Sequence, residues 1–149
     1  QWLIHNDWTI CRTDELVANT RSIADRLGAT DRVFVRPDSP LKPFSGRVVE
    51  VENLTLAKLD HGFYYDDETI PVVVAPIQTI SYEWRFVIVN REVVAGSAYD
   101  PGPRKPLTAR LNSAAAEFAS MVAASIPQPE PVYVLDVCAC NDKLRLLEL

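Results

Sequence analysis

Cysteine, methionine and glycine are scarce in this chain: three, one and five among 149 residues. The three cysteines, Cys11, Cys138 and Cys140, form an odd and sparse set. Such a set argues against a disulfide framework and for a reducing compartment, so a cytoplasmic location is expected. A zinc site is also disfavoured, because no second CxxC and no nearby histidine completes a ligand set. Basic charge is in deficit, with 15 Lys and Arg against 20 Asp and Glu and a net charge of −5. No run of Lys or Arg stands out, which argues against nucleic acid as a main partner. No apolar run approaches the length needed to span a bilayer, so no membrane role is expected. The patterns GxxxxGK[ST], GxSxG and HExxH do not occur, and His5 and His61 lie near no acid–nucleophile pattern. Hydrophobic content of 48% and charged content of 23% are ordinary for a globular domain of this length. The chain opens at Gln1 and stops at Leu149 within a strand pattern, so both ends read as cuts in a longer protein.

Hydrophobic periodicity gives a few helices set among antiparallel hairpins, an α+β order rather than a doubly wound sheet. Residues 1–30 read as the tail of a preceding element followed by a helix. Thr13 reads as its N-cap, Asp14 and Glu15 occupy its first turn, and Gly28 supplies the stop. Residues 31–149 read as the main domain. It begins with short strands at Arg32–Arg36 and Arg47–Val51, separated by a proline-stiffened loop. A short helix over 54–59 and a buried strand at Ile70–Ala75 follow. Next come a hairpin about Asn90-Arg91, a turn-rich link over 100–106, and a helix from Thr108 to about Ser125. A last hairpin pairs Val132–Cys138 with Lys143–Leu149 about Asn141-Asp142, whose residues tolerate the left-handed conformation.

Asp136 and Glu148 fall on that last hairpin. A three-residue loop pairing Cys140 with Leu144 sets the two carboxylates directly opposite on one face. Like charges so placed are destabilising unless a divalent cation binds them, and the alternative is a solvated edge with two harmless acids. A second group is Arg36 with Lys42 in FVRPDSPLKPFSG, one cation ending a strand and the other six residues on in a proline-stiffened loop, which suits phosphate or is surface charge alone. A third is Glu83 with Arg85 in ISYEWRFVIV, on one strand face by period two. Pairing about Asn90-Arg91 sets Arg85 opposite Gly96, leaving room for a ligand; the plain alternative is a cross-strand ion pair. The last group is the exit of the buried strand, Val74-Ala75-Pro76-Ile77. Its apolar walls and backbone groups suit a flat heterocycle, or are simply core.

In this order the groups resemble the ATP-grasp superfamily, in its divergent clade marked by one arginine and two basic loop residues. The resemblance runs from Arg32 to Leu149 and rests on VFVRPDSPLKPFSG, VVVAPIQTISYEWRFVIV, VVAGSAY, YVLDV and LLEL. It implies an ATP-grasp-like fold of antiparallel sheets with packed helices. It implies that Arg36 and Lys42 hold ATP phosphates, that Val74, Ala75, Pro76 and Ile77 form the adenine hinge, and that Glu83 contacts the nucleotide. Arg85 then stands near the transferred phosphate, with Lys42 as its catalytic companion. Ser97 and Tyr99 line the site, and Asp136 and Glu148 bind Mg²⁺. The chain departs from the pattern in two places. The family's closing Glu-x-Asn is cut after Glu148-Leu149, so the domain is expected to be truncated, and Arg36 stands where some relatives have lysine.

The function implied is an ATP- and Mg-dependent carboxylate–amine ligase working through an acyl-phosphate. Its carboxylate and amine substrates are not named by the sequence and include peptides or proteins. The alternative is a non-catalytic nucleotide-binding or assembly module. A third reading is a structural domain whose charges are surface features.

Overall fold

The computed structural model describes residues 3–39, 41, 43–59, 69–99 and 113–149. The predicted loop cation Lys42, together with His61, the link over 100–106 and the start of the predicted helix at Thr108, lies outside the described residues. The chain divides into two compact units, one comprising His5–Ile77 and the other Gln78–Leu149 with the residues before His5. Among the described residues no helix is long and apolar enough to cross a membrane.

In the first unit a helix covers a four-stranded sheet. The strands are β1 (Thr9–Arg12), β2 (Arg32–Pro37), β3 (Arg47–Glu50) and β4 (Pro71–Ala75), ordered β1-β4-β2-β3 with antiparallel neighbours. Period two sends Val33 and Val35 of β2, and Val72 and Val74 of β4, to the helix side, where each is fully buried. Helix α1 (Thr13–Arg26) meets them with Leu16, Ile23 and Ala24. Burying a Leu or Ile side chain contributes roughly 1.5–3 kcal/mol, so this stripe is the main force placing the helix. Thr13 is not the cap that its residue type suggests. The cap position is Arg12, and Thr13 is buried inside the first turn, where its backbone N–H donates to Ile70 O at 3.0 Å. The stop at Gly28 forms as expected, with φ of +66°. At Asn19 the helix kinks, with φ −128° and ψ 23°. There Asn19 Nδ2 donates to Glu15 O and Thr20 Oγ1 to Leu16 O, back-bonding that bends helices. Strand β1, where the sequence reads only as the tail of an earlier element, is an edge of this sheet.

The second unit repeats the helix-on-sheet plan. Strands β5 (Ile80–Val89), β6 (Glu92–Tyr99), β7 (Val132–Cys140) and β8 (Lys143–Glu148) lie in the order β6-β5-β7-β8, all antiparallel. Helix α2, described over Ser113–Ser125, packs Ala115, Ala119, Val122 and Ala123 against Trp84, Phe86, Ile88, Leu135 and Val137. The small helix residues let the helix settle onto large strand side chains. With α2 on that face, the alternate residues Glu83, Arg85, Asp136 and Cys138 fall on the other. Both hairpins form at the turns that the sequence suggests, and all four turn residues are left-handed, with φ of 47° and 72° at Asn90-Arg91 and 51° and 59° at Asn141-Asp142.

Candidate functional site

The face of the second sheet turned away from α2 gathers charge around one ion pair. In the ladder, Arg85 of β5 lies opposite Asp136 of β7. Arg85 Nε donates to Asp136 Oδ1 at 2.8 Å and Nη2 to Oδ2 at 2.7 Å, a two-pronged pair. The partners are unequal, since the Asp136 side chain is 5% exposed and that of Arg85 41%. Removing one partner of a buried pair costs about 3–5 kcal/mol, and the exposure of Arg85 puts this pair near or below the lower figure. Glu83, two residues before Arg85, feels the same neighbourhood. Its carboxyl is pushed above the ordinary range, first by burial and then by the charge of Asp136; Glu148 adds to the rise and Arg85 opposes it.

Two β-bulges decide which residues share this face. From the turn, β8 pairs Cys140 with Lys143 and Val137 with Leu146, a two-residue loop rather than the expected three. Continued unbroken, that register would set Asp136 opposite Leu147 and turn Glu148 toward α2. A bulge at Leu147 restores the pairing of Asp136 with Glu148. The expected opposition of the two acids is therefore present, but a bulge and not the loop length produces it. A second bulge at Val94 shifts β6, so that Arg85 faces Ser97 and Glu83 faces Tyr99. The expected pairing of Arg85 with Gly96 is overturned. Gly96 lies opposite Phe86 instead. Bulges re-aim side chains in this way, and they concentrate beside active sites. Glu83, Arg85, Ser97, Asp136 and Glu148 thus share one side of one sheet.

The first unit holds a second grouping. Arg36 pairs with Val73, Val35 with Val74, and Phe34 with Ala75. Arg36 and the strand exit Val74–Ala75 therefore sit on adjacent strands. Val74 faces the core and is fully buried, so only its backbone can serve a ligand. Ala75 is also fully buried, Pro76 partly so, and Ile77 is 39% exposed. On the Arg36 side of the sheet, the His5 ring stacks on Phe34 with centroids 6.3 Å apart and planes at 16°. A Cβ on Gly46 would stand 2.7 Å from Phe34 Cζ and 3.4 Å from Arg36 Cβ. His5 Nδ1 is buried without a hydrogen-bond partner. Burial, and then the charge of Arg36, hold the His5 imidazole below its usual pKa. His5 and Phe34 are members of this grouping that sequence reasoning misses, because a lone ring and a strand aromatic carry no spacing signal. The glycine in Phe44-Ser45-Gly46 is the one cue.

Cys138 is fully buried, and burial together with Cys140 and Glu83 pushes its thiol up to about 12. A thiol so placed stays protonated at neutral pH and is no nucleophile. Among the described residues no three His, Cys, Asp or Glu side chains gather to hold a metal ion. Asp136 and Glu148 remain two carboxylates on paired strands. Magnesium is commonly bound by one or two carboxylates with phosphate oxygens completing its shell, and this donor set fits that mode and not an all-protein cage.

Residues 5–149 match the ATP-grasp domain, in the third family of the clade named for one arginine and two lysines. The chain belongs to that family. Solved ATP-grasp proteins share its fold. The D-alanine–D-alanine ligase from Bacillus anthracis, complexed with ATP, gives a TM-score of 0.64 at 15% identity, over 98% of this chain and 47% of that one. The RimK domain protein ATP-grasp from Sphaerobacter thermophilus gives 0.59 at 14% identity, over 97% and 51%. C-terminally truncated Cdc123 from Schizosaccharomyces pombe gives 0.58 at 13% identity, over 95% and 76%. This ATP-grasp chain spans about half the length of the first two of these structures. No curated protein matches it in sequence. The fold is thus the α+β, ATP-grasp-like arrangement of antiparallel sheets and packed helices that the sequence implies.

Proposed function

We propose that this chain is the nucleotide-handling part of an ATP- and Mg-dependent carboxylate–amine ligase acting through an acyl-phosphate. The observation that carries the reading is the grouping of Arg85, Asp136, Glu148, Glu83 and Ser97 on one sheet face, inside a member of the ATP-grasp family. ATP with Mg²⁺ would supply the phosphoryl group that makes a carboxylate reactive toward an amine. The chain's own residues supply the electrostatics. Asp136 and Glu148 would hold the cation, and Arg85 would contact the phosphate being transferred. A fixed cation where charge develops stabilises a transferring phosphoryl group without reorganisation. Glu83 and Ser97 would contact the nucleotide. Arg36 at the end of β2, with Lys42 as a further cation, would hold phosphate oxygens. Val74, Ala75, Pro76 and Ile77 would offer backbone groups and an apolar wall to adenine. Such chemistry needs no side-chain nucleophile. The carboxylate and amine substrates belong to the class that includes peptides and proteins. The three free cysteines, all buried, suit a cytoplasmic protein.

A second reading keeps the nucleotide site without catalysis, as a binding or assembly module. The saturated Arg85–Asp136 pair favours it, because a closed ion pair is also a purely structural device. ADP or AMP release in the presence of candidate acceptors separates the two. For a ligase, Asp136→Asn and Arg85→Ala are expected to abolish release while the folded protein survives. Unchanged release from either variant defeats these assignments.

A further inference from the structure

The Arg85–Asp136 pair has an asymmetry that bears on how a cation could ever reach Asp136. Both carboxylate oxygens of Asp136 accept a hydrogen bond from Arg85. The Asp136 side chain is buried within the central ladder, whereas the Arg85 side chain as a whole is two-fifths exposed. If the pair opens, Arg85 is the partner that can swing. A free divalent ion arriving here meets at most the two carboxylates of Asp136 and Glu148, and one of them is already engaged at both oxygens. No third His, Cys, Asp or Glu among the described residues offsets the loss of that engagement. A polyphosphate changes the balance. Its oxygens match the planar fork of a guanidinium as well as a carboxylate does, so Arg85 can exchange one anion for another without being left unpaired.

We propose that Arg85 is the resident counter-ion of Asp136 in the nucleotide-free protein, excluding free divalent cations until a polyphosphate draws its guanidinium away. The order of binding follows. The cation enters with or after the nucleotide, and the site does not fill with metal alone. The half of this inference that concerns polyphosphate rests on the function proposed above; the exclusion of free metal does not.

The test uses Mn²⁺ as the probe, without nucleotide, read by thermal unfolding and by the electron paramagnetic resonance signal of unbound Mn²⁺. Wild-type protein is expected to bind it weakly and to keep its Tm in millimolar MnCl₂. Arg85→Ala should melt lower in the absence of metal, regain part of that loss when Mn²⁺ is added, and bind Mn²⁺ at least about tenfold more tightly than wild type. Arg85→Ala combined with Asp136→Asn should show neither the regain nor the tightening. If Arg85→Ala does not fold, Arg85→Gln keeps an amide donor at the position and serves in the same comparison. Equal Mn²⁺ binding by wild type and the Arg85 variant overturns the exclusion. A third arm adds ATP with Mn²⁺ to wild type. A rise in Tm absent with either alone supports release by polyphosphate. No rise in that arm, with the Arg85 variant still rescued by metal, defeats the nucleotide reading and the release step but leaves the exclusion standing.

Discussion

Replacing Gly46 by alanine tests how Arg36 is held. The added Cβ would stand 2.7 Å from Phe34 Cζ and 3.2 Å from Cε2. To reach ordinary contact near 3.4 Å the ring must retreat by about 0.7 Å. It has little room, because His5 stacks on one face and Phe34 lies opposite Ala75, which is fully buried. Forcing a methyl group into such a space typically costs about 1–3 kcal/mol, through off-rotamer rings and lost ring contacts. Gly46 has no left-handed φ to protect, so alanine also gains about 0.4–1 kcal/mol by restricting the unfolded chain. The net expectation is a loss of about 1–2 kcal/mol, or roughly 4–15 °C in Tm for a unit of this size. Urea and thermal unfolding of wild type, Gly46→Ala, Phe34→Leu and the double variant form the assay. With the ring removed, Gly46→Ala should cost less than about 0.5 kcal/mol, giving a favourable coupling between the two sites. A Gly46→Ala protein as stable as wild type, or a coupling near zero, would falsify the reasoning.

Two further outcomes are expected. Deleting Leu147 removes the bulge and makes Glu148 the residue after Leu146, so plain pairing should keep Glu148 opposite Asp136, on the face turned away from α2. Cross-strand contacts by NMR report this directly, and a deletion that moves Glu148 opposite Val137 instead contradicts the bulge account. Glu83→Gln should raise Tm at neutral pH. The carboxyl of Glu83 is pushed upward in the folded protein, so its ionised form opposes folding. Its stabilising contribution is present below the unfolded value and lost as pH rises through the folded one. The advantage of Gln should therefore shrink as pH falls into the carboxylate range; an advantage constant with pH, or reversed, removes the electrostatic explanation.

Strand and turn signals made most of this fold readable. A nearly continuous Val run marks β4, apolar residues alternating with Glu83 and Arg85 mark β5, and turns at Asn90-Arg91 and Asn141-Asp142 fix both hairpins. The bulges were harder. Each inserts a residue into a run that remains apolar, Val93-Val94 in β6 and Leu146-Leu147 in β8, so the strand pattern continues while the facing changes. Two successive apolar residues in an otherwise alternating strand are the signal that could have located them. Without it, Arg85 is assigned to Gly96, and the Asp136–Glu148 pairing is reached by way of the wrong loop length. The Arg85–Asp136 pair lies beyond such reasoning altogether. It joins β5 to β7 across 51 residues of sequence, and no local spacing reports which strand is inserted beside which. Strand β1 is four residues long, with Ile10 half-exposed and a half-exposed Trp8 just before it, so its alternation is too short and too apolar to read.

Everything functional depends on the chain binding a magnesium nucleotide with these charges. Thermal unfolding of the wild-type chain with and without ATP and Mg²⁺ measures that most directly. Ligand at 100 times its dissociation constant is expected to stabilise the protein by about 2.7 kcal/mol, with most of that gain lost in Asp136→Asn. An unchanged Tm at saturating ATP and Mg²⁺ contradicts it.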